Sequence, residues 1–388
     1  MKIAILTQPL HTNYGGLLQA YAVQKILRDM GYQSVTLNLS PKHTYPKRTL
    51  YYQIRLFVAT LVYAITGKGK WRNIHLPYNN LERNKDLINL SMRPFMERIM
   101  DISPLLSSSE EINSYCKLQG IDTYIVGSDQ VWRPIYNFNI DWMFLGFIPV
   151  NTKAKRIALS ASFGTSNWEF TEEETKRCSL LAKLFDAISV REISGVNLCR
   201  KYLGVNALQT IDPTMLLSPL DYEHLVNLDK ENTTSMQQCV FSYILTESEE
   251  KKNVVNRISQ ILSLPAQELK VKIKPMLYAS EKSLLKKKPQ PVSQWLRAFQ
   301  EANFVVTDSF HGTVFSILHH CPFVVVANNA RGQARIETLL STFKLKNRFL
   351  VSDVESVINT PINWEEIDLI LDEQRSILKS FLENALEK

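Results

Sequence analysis

The chain has 388 residues, 45% of them hydrophobic and 21% charged, which excludes a disordered or fibrous protein and is too long for one ordinary core. The formal charge is +7, and the five cysteines (Cys116, Cys178, Cys199, Cys239 and Cys321) are scattered, which argues against a disulfide framework or zinc knuckle and fits small buried side chains in a reducing compartment. No apolar run reaches the ~18 residues of a membrane span. The opening MKIAILTQPL reads as a strand entering a turn rather than an export signal, so a cytoplasmic location is expected.

Residues 2–7 predict a first strand, Gly15 and Gly16 the turn after it, and Leu17 to Met30 a helix with Leu18, Ala22, Ile26 and Met30 on one stripe. Gly31 caps that helix and Ser34 to Leu39 forms a second strand. The chain therefore opens with a right-handed βαβ unit, the start of a parallel, doubly wound sheet. A basic, aromatic insertion spans 42–110. No Asp or Glu occurs between Met30 and Leu81, and Lys42, Lys47, Arg48, Arg55, Lys68, Lys70 and Arg72 supply the whole net charge.

Strands are predicted next at Thr123 to Val126, Arg156 to Ser160 and Ala187 to Val190, with a capped helix starting after Thr171 and another ending at Leu203. Thr210 to Pro219, with two prolines, reads as the passage between domains. The second half repeats the pattern. Strands are expected at Val240 to Leu245, Glu268 to Ile273, Phe304 to Thr307 and Phe323 to Ala327. Helices are expected at Glu249 to Leu262, Gln294 to Ala302, from the Asp308–Gly312 loop to His319, and at Ile336 to Phe343 and Trp364 to Leu386. The fold class is α/β, with two Rossmann-like domains facing a cleft: 1–212, and 213–360, followed by a C-terminal helix, 361–388, able to pack back on the first domain.

In parallel sheets, ligands bind beyond the carboxyl ends of the strands. Those ends carry Asn13, Gly15 and Gly16; Ser128, Asp129, Gln130 and Trp132; Ser160 and Ser162; Arg191 and Glu192; and Asp308, Ser309, His311 and Gly312. The first turn does not match GxGxxG, so it argues little for a dinucleotide, although two glycines at a helix start can present N–H groups to an anion. Arg191, and less directly Arg331 and Arg335, suit a carboxylate or phosphate. His311, between a strand and a helix, suits a general acid, whereas His319 and His320 read as structural. Asp129 and Trp132 suit a sugar, by hydroxyl hydrogen bonds and by stacking. No His, Cys or carboxylate spacing points to a metal.

Five stretches together resemble the polysaccharide pyruvyl transferase family: Asn13 to Tyr21, Gly127 to Trp132, Ser189 to Gly195, Asp212-Pro213-Thr214 and Thr307 to Thr313. The resemblance implies a fold similar to the two-domain (GT-B type) glycosyltransferases. It implies phosphoenolpyruvate as donor, with no other cofactor, and a sugar of a bacterial surface polysaccharide or its polyprenyl-linked precursor as acceptor. The products would be a pyruvate ketal and inorganic phosphate. The family's histidine and arginine correspond to His311 and Arg191, with Arg331 and Arg335 as further candidates. In this reading His311 is the acid, and Arg191 binds the donor with Gly15, Gly16, Asn13, Ser309 and Gly312. Asp129 orients or deprotonates an acceptor hydroxyl, beside Ser128, Gln130 and Trp132.

Ile54, Phe57, Val58, Leu61, Val62 and Ile65 form an apolar helical stripe among the basic residues of 48–72. That pattern suits either a helix on the protein's own core or peripheral contact with the anionic inner face of the cytoplasmic membrane. Nucleic acid is not expected, since no recognition motif accompanies the charge. Two alternatives stay open: a nucleotide-sugar glycosyltransferase of the same fold, and a non-catalytic assembly factor.

Overall fold

The structure, a computed structural model, describes residues 1–10, 13–39, 92–137, 139–229, 233–269, 290–328, 332–350 and 353–387, together with 54, 58, 61, 62, 65 and 66. Arg331, Phe57, Lys286 to Lys288, residues 270–273 of the strand expected at Glu268 to Ile273, and most of the 42–110 insertion lie outside the described residues.

Seven strands form the first sheet: β1 (Lys2–Leu6), β2 (Gln33–Leu39), β3 (Ile102–Leu106), β4 (Thr123–Gly127), β5 (Lys155–Ala161), β6 (Ala187–Val190) and β7 (Leu208–Gln209). All pair in parallel, in the order β3-β2-β1-β4-β5-β6-β7. The second sheet has four parallel strands, β8 (Val240–Tyr243), β9 (Ala266–Glu268), β10 (Phe304–Thr307) and β11 (Phe323–Val325), in the order β11-β10-β8-β9. Strand order reverses beside β1 in the first sheet and beside β8 in the second, and such reversals open a crevice at the carboxyl ends.

Several expectations change. The first helix is Tyr14–Asp29, so Gly15 and Gly16 lie in its first turn rather than before it. The 42–110 segment is not wholly an insertion, because Arg93–Ile99 is a helix and Ile102–Leu106 is the edge strand β3. Its Pro104 is tolerable there because an edge strand can forgo one donor. In the passage at Thr210 to Pro219, Thr210 to Leu217 are all buried. Ser160, at φ 50°, marks a bulge in β5, and its Oγ donates to Ile211 O at 2.8 Å, drawing that passage onto the sheet.

The C-terminal helix Trp364–Glu387 runs along both halves. Arg375 donates to Met215 O at 2.8 Å and Leu217 O at 3.0 Å, while Lys155 Nζ donates to Leu386 O near the helix end. A single apolar cluster joins β1 and its helix to the Val292–Glu301 and Phe310–Leu318 helices of the second half. The five cysteines are buried and unpaired. Among the described residues no helix is long and apolar enough to cross a membrane.

Candidate active site

The helix Phe310–Leu318 starts where β10 ends. Ser309 caps it, accepting from Gly312 N at 3.3 Å, which points the first-turn side chain of His311 out of the second half toward the first. Gly312 permits this by packing: a Cβ there would sit 2.2 Å from Thr307 Oγ1. Gly15 does the same from the opposite side, since its Cβ would lie 2.1 Å from both Cγ and Nδ1 of the His311 ring. Ser309, Gly312 and Gly15, expected as donor contacts, all lie around the imidazole and help to place it.

His311 and Arg191 meet at one oxygen. Arg191 Nη1 donates to Asp212 Oδ2 at 2.5 Å, and His311 Nε2 lies 3.7 Å from the same atom. Asp212 is fully immobilised: Ser128 Oγ donates to Oδ2 at 2.7 Å, and Thr214 N and Oγ1 donate to Oδ1 at 3.0 and 2.7 Å. Burial alone would raise the Asp212 pKa, but Arg191 and His311 reverse this and hold it well below the ordinary carboxylate range.

Asp129 forms the other wall. It stands at φ 66°, a left-handed backbone uncommon outside glycine and the kind of strain that collects at functional sites. Asn13 Nδ2 donates to its Oδ2 at 3.1 Å and Gln130 N to its Oδ1 at 2.9 Å, while Arg191 Nη2 and Arg335 Nη1 lie 3.5 and 3.9 Å from Oδ1. Gly16 leaves room for this bridge, as its Cβ would lie 2.9 Å from Asn13 Nδ2. Burial raises the Asp129 pKa, but Arg191, His311 and Arg335 outweigh it and leave it lowered. A carboxyl held down in this way is a weak base. The geometry suits Asp129 to positioning guanidinium groups rather than to deprotonating an acceptor.

Phe310 presents its ring to both arginines, with guanidinium carbons 4.6 Å (Arg191) and 5.4 Å (Arg335) from its centroid. Burial and the like charge of Arg191 pull Arg335 down to about 10. Arg191 Nε is buried with no hydrogen-bond partner among the described residues, and His311 Nε2 has only the 3.7 Å approach to Asp212 Oδ2. A buried, unmet donor costs about 1–3 kcal/mol and is kept where a ligand can meet it.

The residues expected to hold the acceptor do not converge here. Trp132 is fully buried, stacked on Phe144 at 4.7 Å and flanked by Phe163 at 5.4 Å, with its Nε1 donating to Met143 O at 2.9 Å. Its faces are covered by the core, so it offers no sugar platform. Ser128 is spent on Asp212. Gln130 accepts from Arg133 Nη1 at 3.2 Å, and its side chain occupies the space that a Cβ on Gly164 would need. Asp212, Glu192 and Phe310 were not assigned site roles from the sequence. The signal was present for Asp212 in the Asp-Pro-Thr motif, which reads equally well as a turn.

Comparison with known proteins is consistent with this architecture. A family model described as polysaccharide pyruvyl transferase matches residues 13–330. Among solved structures, UDP-GlcNAc 2-epimerase from Neisseria meningitidis, bound to UDP-GlcNAc, aligns with a TM-score of 0.51 at 11% identity, covering 99% of this chain and 100% of that one. The UDP-GlcNAc 2-epimerase of Methanocaldococcus jannaschii aligns at 0.50 and 10%, covering 96% and 92%. An α-glucosyltransferase in complex with UDP aligns at 0.43 and 11%, covering 98% and 95%. At these identities the likeness concerns the fold. Among curated proteins none matches the chain.

Proposed function

Since the chain belongs to the polysaccharide pyruvyl transferase family, we propose that it moves the pyruvyl group of phosphoenolpyruvate onto two hydroxyls of a sugar, forming a ketal and releasing phosphate. The supporting observation is the convergence of Arg191, Arg335 and His311 from three separate elements, with Arg191 Nε buried without a hydrogen-bond partner among the described residues and His311 Nε2 held only by the 3.7 Å approach to Asp212. A small, multiply charged anion is the ligand such a cluster suits.

In this reading Arg191 and Arg335 hold the carboxylate and phosphate of the donor. His311 gives a proton to the terminal CH2 carbon, which makes C2 electrophilic. One sugar hydroxyl adds to C2 and gives its proton back to His311; phosphate leaves with the electron pair of the C2–O bond and takes the proton of the second hydroxyl as that oxygen closes the ketal. Asp212 and Asp129 fix the imidazole and the guanidinium groups and remain ionised. The acceptor is a sugar of a surface polysaccharide or its lipid-linked precursor.

Peripheral contact with an anionic membrane would bring a lipid-linked acceptor to the site. Ile54, Val58, Val62 and Ile65 are helical and 53–65% exposed, at the spacing of one helix face, within a stretch free of acidic residues. Co-sedimentation with anionic vesicles at low salt tests this contact, and its absence there overturns it. The donor assignment is tested by thermal shift. Phosphoenolpyruvate should raise the melting temperature with occupancy; a rise with nucleotide sugars and none with phosphoenolpyruvate would favour the glycosyltransferase alternative.

A further inference from the structure

One carboxyl of the cluster differs from the other two. Glu192 follows Arg191 at the end of β6 and has no exposed surface. Its Oε1 accepts three hydrogen bonds, from Phe163 N at 2.7 Å and from Gly164 N and Ser162 Oγ at 3.1 Å. Its Oε2 is buried with no partner among the described residues. An ionised oxygen in such a place is costly, whereas a carboxylic acid is neutral there and turns the same atom into a donor. With Oε1 already filled by donors, the proton belongs on Oε2.

The surroundings act in the same direction. Burial pushes the Glu192 carboxyl up, and the opposing pull of Arg191 and Arg335 does not cancel it. Asp129 and Asp212, in the same cluster, move down. Carboxyls whose environments drive them apart divide into permanent anions and a proton carrier.

We propose that Glu192 is a further substrate-contacting residue, whose Oε2–H donates a hydrogen bond to an oxygen of the anion held by Arg191 and Arg335. This rests on the donor-site reading above. Ionised, Glu192 would repel that anion; protonated, it adds a donor beside the guanidinium groups. Binding of the anion and retention of the proton therefore favour each other.

The charged and titratable groups around Glu192 are Arg191 on its own strand end, Arg335 on the helix Ala334–Thr342, and Cys199, whose thiol burial and Glu192 push up to about 12. Asp129 lies 3.5 Å from Arg191, and His311 shares Asp212 Oδ2 with it. The test is calorimetric binding of phosphoenolpyruvate and, separately, of sulfate to the wild type and to Glu192→Gln across about pH 5 to 8. Gln keeps the Oε1 acceptor and places an N–H where the O–H stood. At each pH the ratio of the two affinities removes the titration of ligand and neighbours that both proteins share.

Wild-type affinity relative to Glu192→Gln should fall by up to ~10-fold per pH unit once Glu192 ionises. A constant ratio, with Glu192→Ala binding either anion as tightly as Glu192→Gln, overturns the proposal. Should Glu192→Gln fail to fold, infrared difference spectra of the wild type on sulfate binding are expected to show a shift of a protonated carboxyl C=O band, and the absence of any such band overturns it. A wild type that binds sulfate but not phosphoenolpyruvate removes the donor identity and leaves the Glu192 test readable. One that binds neither overturns both.

Discussion

Adding a single methyl group at Gly15 should disable the site while leaving the fold. In Gly15→Ala the new Cβ would lie 2.1 Å from Cγ and Nδ1 of His311 and 2.6 Å from its Cβ. Touching carbons need ~3.5 Å, so the ring must retreat by about 1.4 Å. A displacement of that size in a reacting group costs about 100-fold in rate. Stability changes less: overpacking costs about 1–3 kcal/mol, offset by the roughly 0.5–1 kcal/mol that alanine gains over glycine inside a helix. The assay is phosphate release from phosphoenolpyruvate with acceptor, alongside thermal unfolding. Gly120→Ala is the control. Gly120 sits at φ 65° with nothing within 4 Å, so it should lose about 1–2 kcal/mol to backbone strain and keep full turnover. In Gly15→Ala combined with His311→Ala the losses should not add, because both act on the same imidazole. Wild-type turnover in folded Gly15→Ala would refute the placement of His311 against the first helix.

His311→Ala should lose ~10²–10⁴-fold in kcat while remaining folded, measured by steady-state kinetics and unfolding on the same sample. Arg191→Met strands two buried carboxylates and should cost about 3–5 kcal/mol by denaturant titration. It should also change the acid limb. The pKa of Asp212 is lower in the folded protein than in the unfolded chain, so its contribution is fully present above about pH 4 and lost as pH falls toward the folded value. Arg191→Met should flatten that loss. Trp132→Ala should cost about 3–5 kcal/mol and leave acceptor KM in the surviving folded fraction unchanged; a selective rise in acceptor KM would restore Trp132 to the site.

The βα pattern was readable because strands such as those at 2–7 and 304–307 are built on continuous apolar runs, 3–6 and 304–306, as a sheet covered on both faces requires. Edge elements were not: β3 contains Ser103 and Pro104, and β7 is only two residues long. His311 and Arg191 stood out because an imidazole at a helix start and a guanidinium at a strand end have few structural uses, whereas Arg335 read more like a surface arginine and proves buried. Asp212 did not, because Asp-Pro also begins turns, and the contact that buries it comes from Ser160, fifty-one residues before Ile211 in the chain. Trp132 erred in the opposite sense. An indole after a strand suits either sugar or core, and the choice is made by Phe144 and Phe163, neither of which local spacing reveals. The protonation contrast between Glu192 and its neighbours is likewise a property of packing, not of sequence.

Phosphorus NMR of the wild type, incubated with phosphoenolpyruvate, UDP-GlcNAc and a polyprenyl-linked sugar extract in one tube, follows both candidate donors at once. The phosphoenolpyruvate resonance should convert to inorganic phosphate, the UDP-GlcNAc resonances should persist, and His311→Ala should leave all of them unchanged. Release of UDP with phosphoenolpyruvate intact would contradict the proposed reaction.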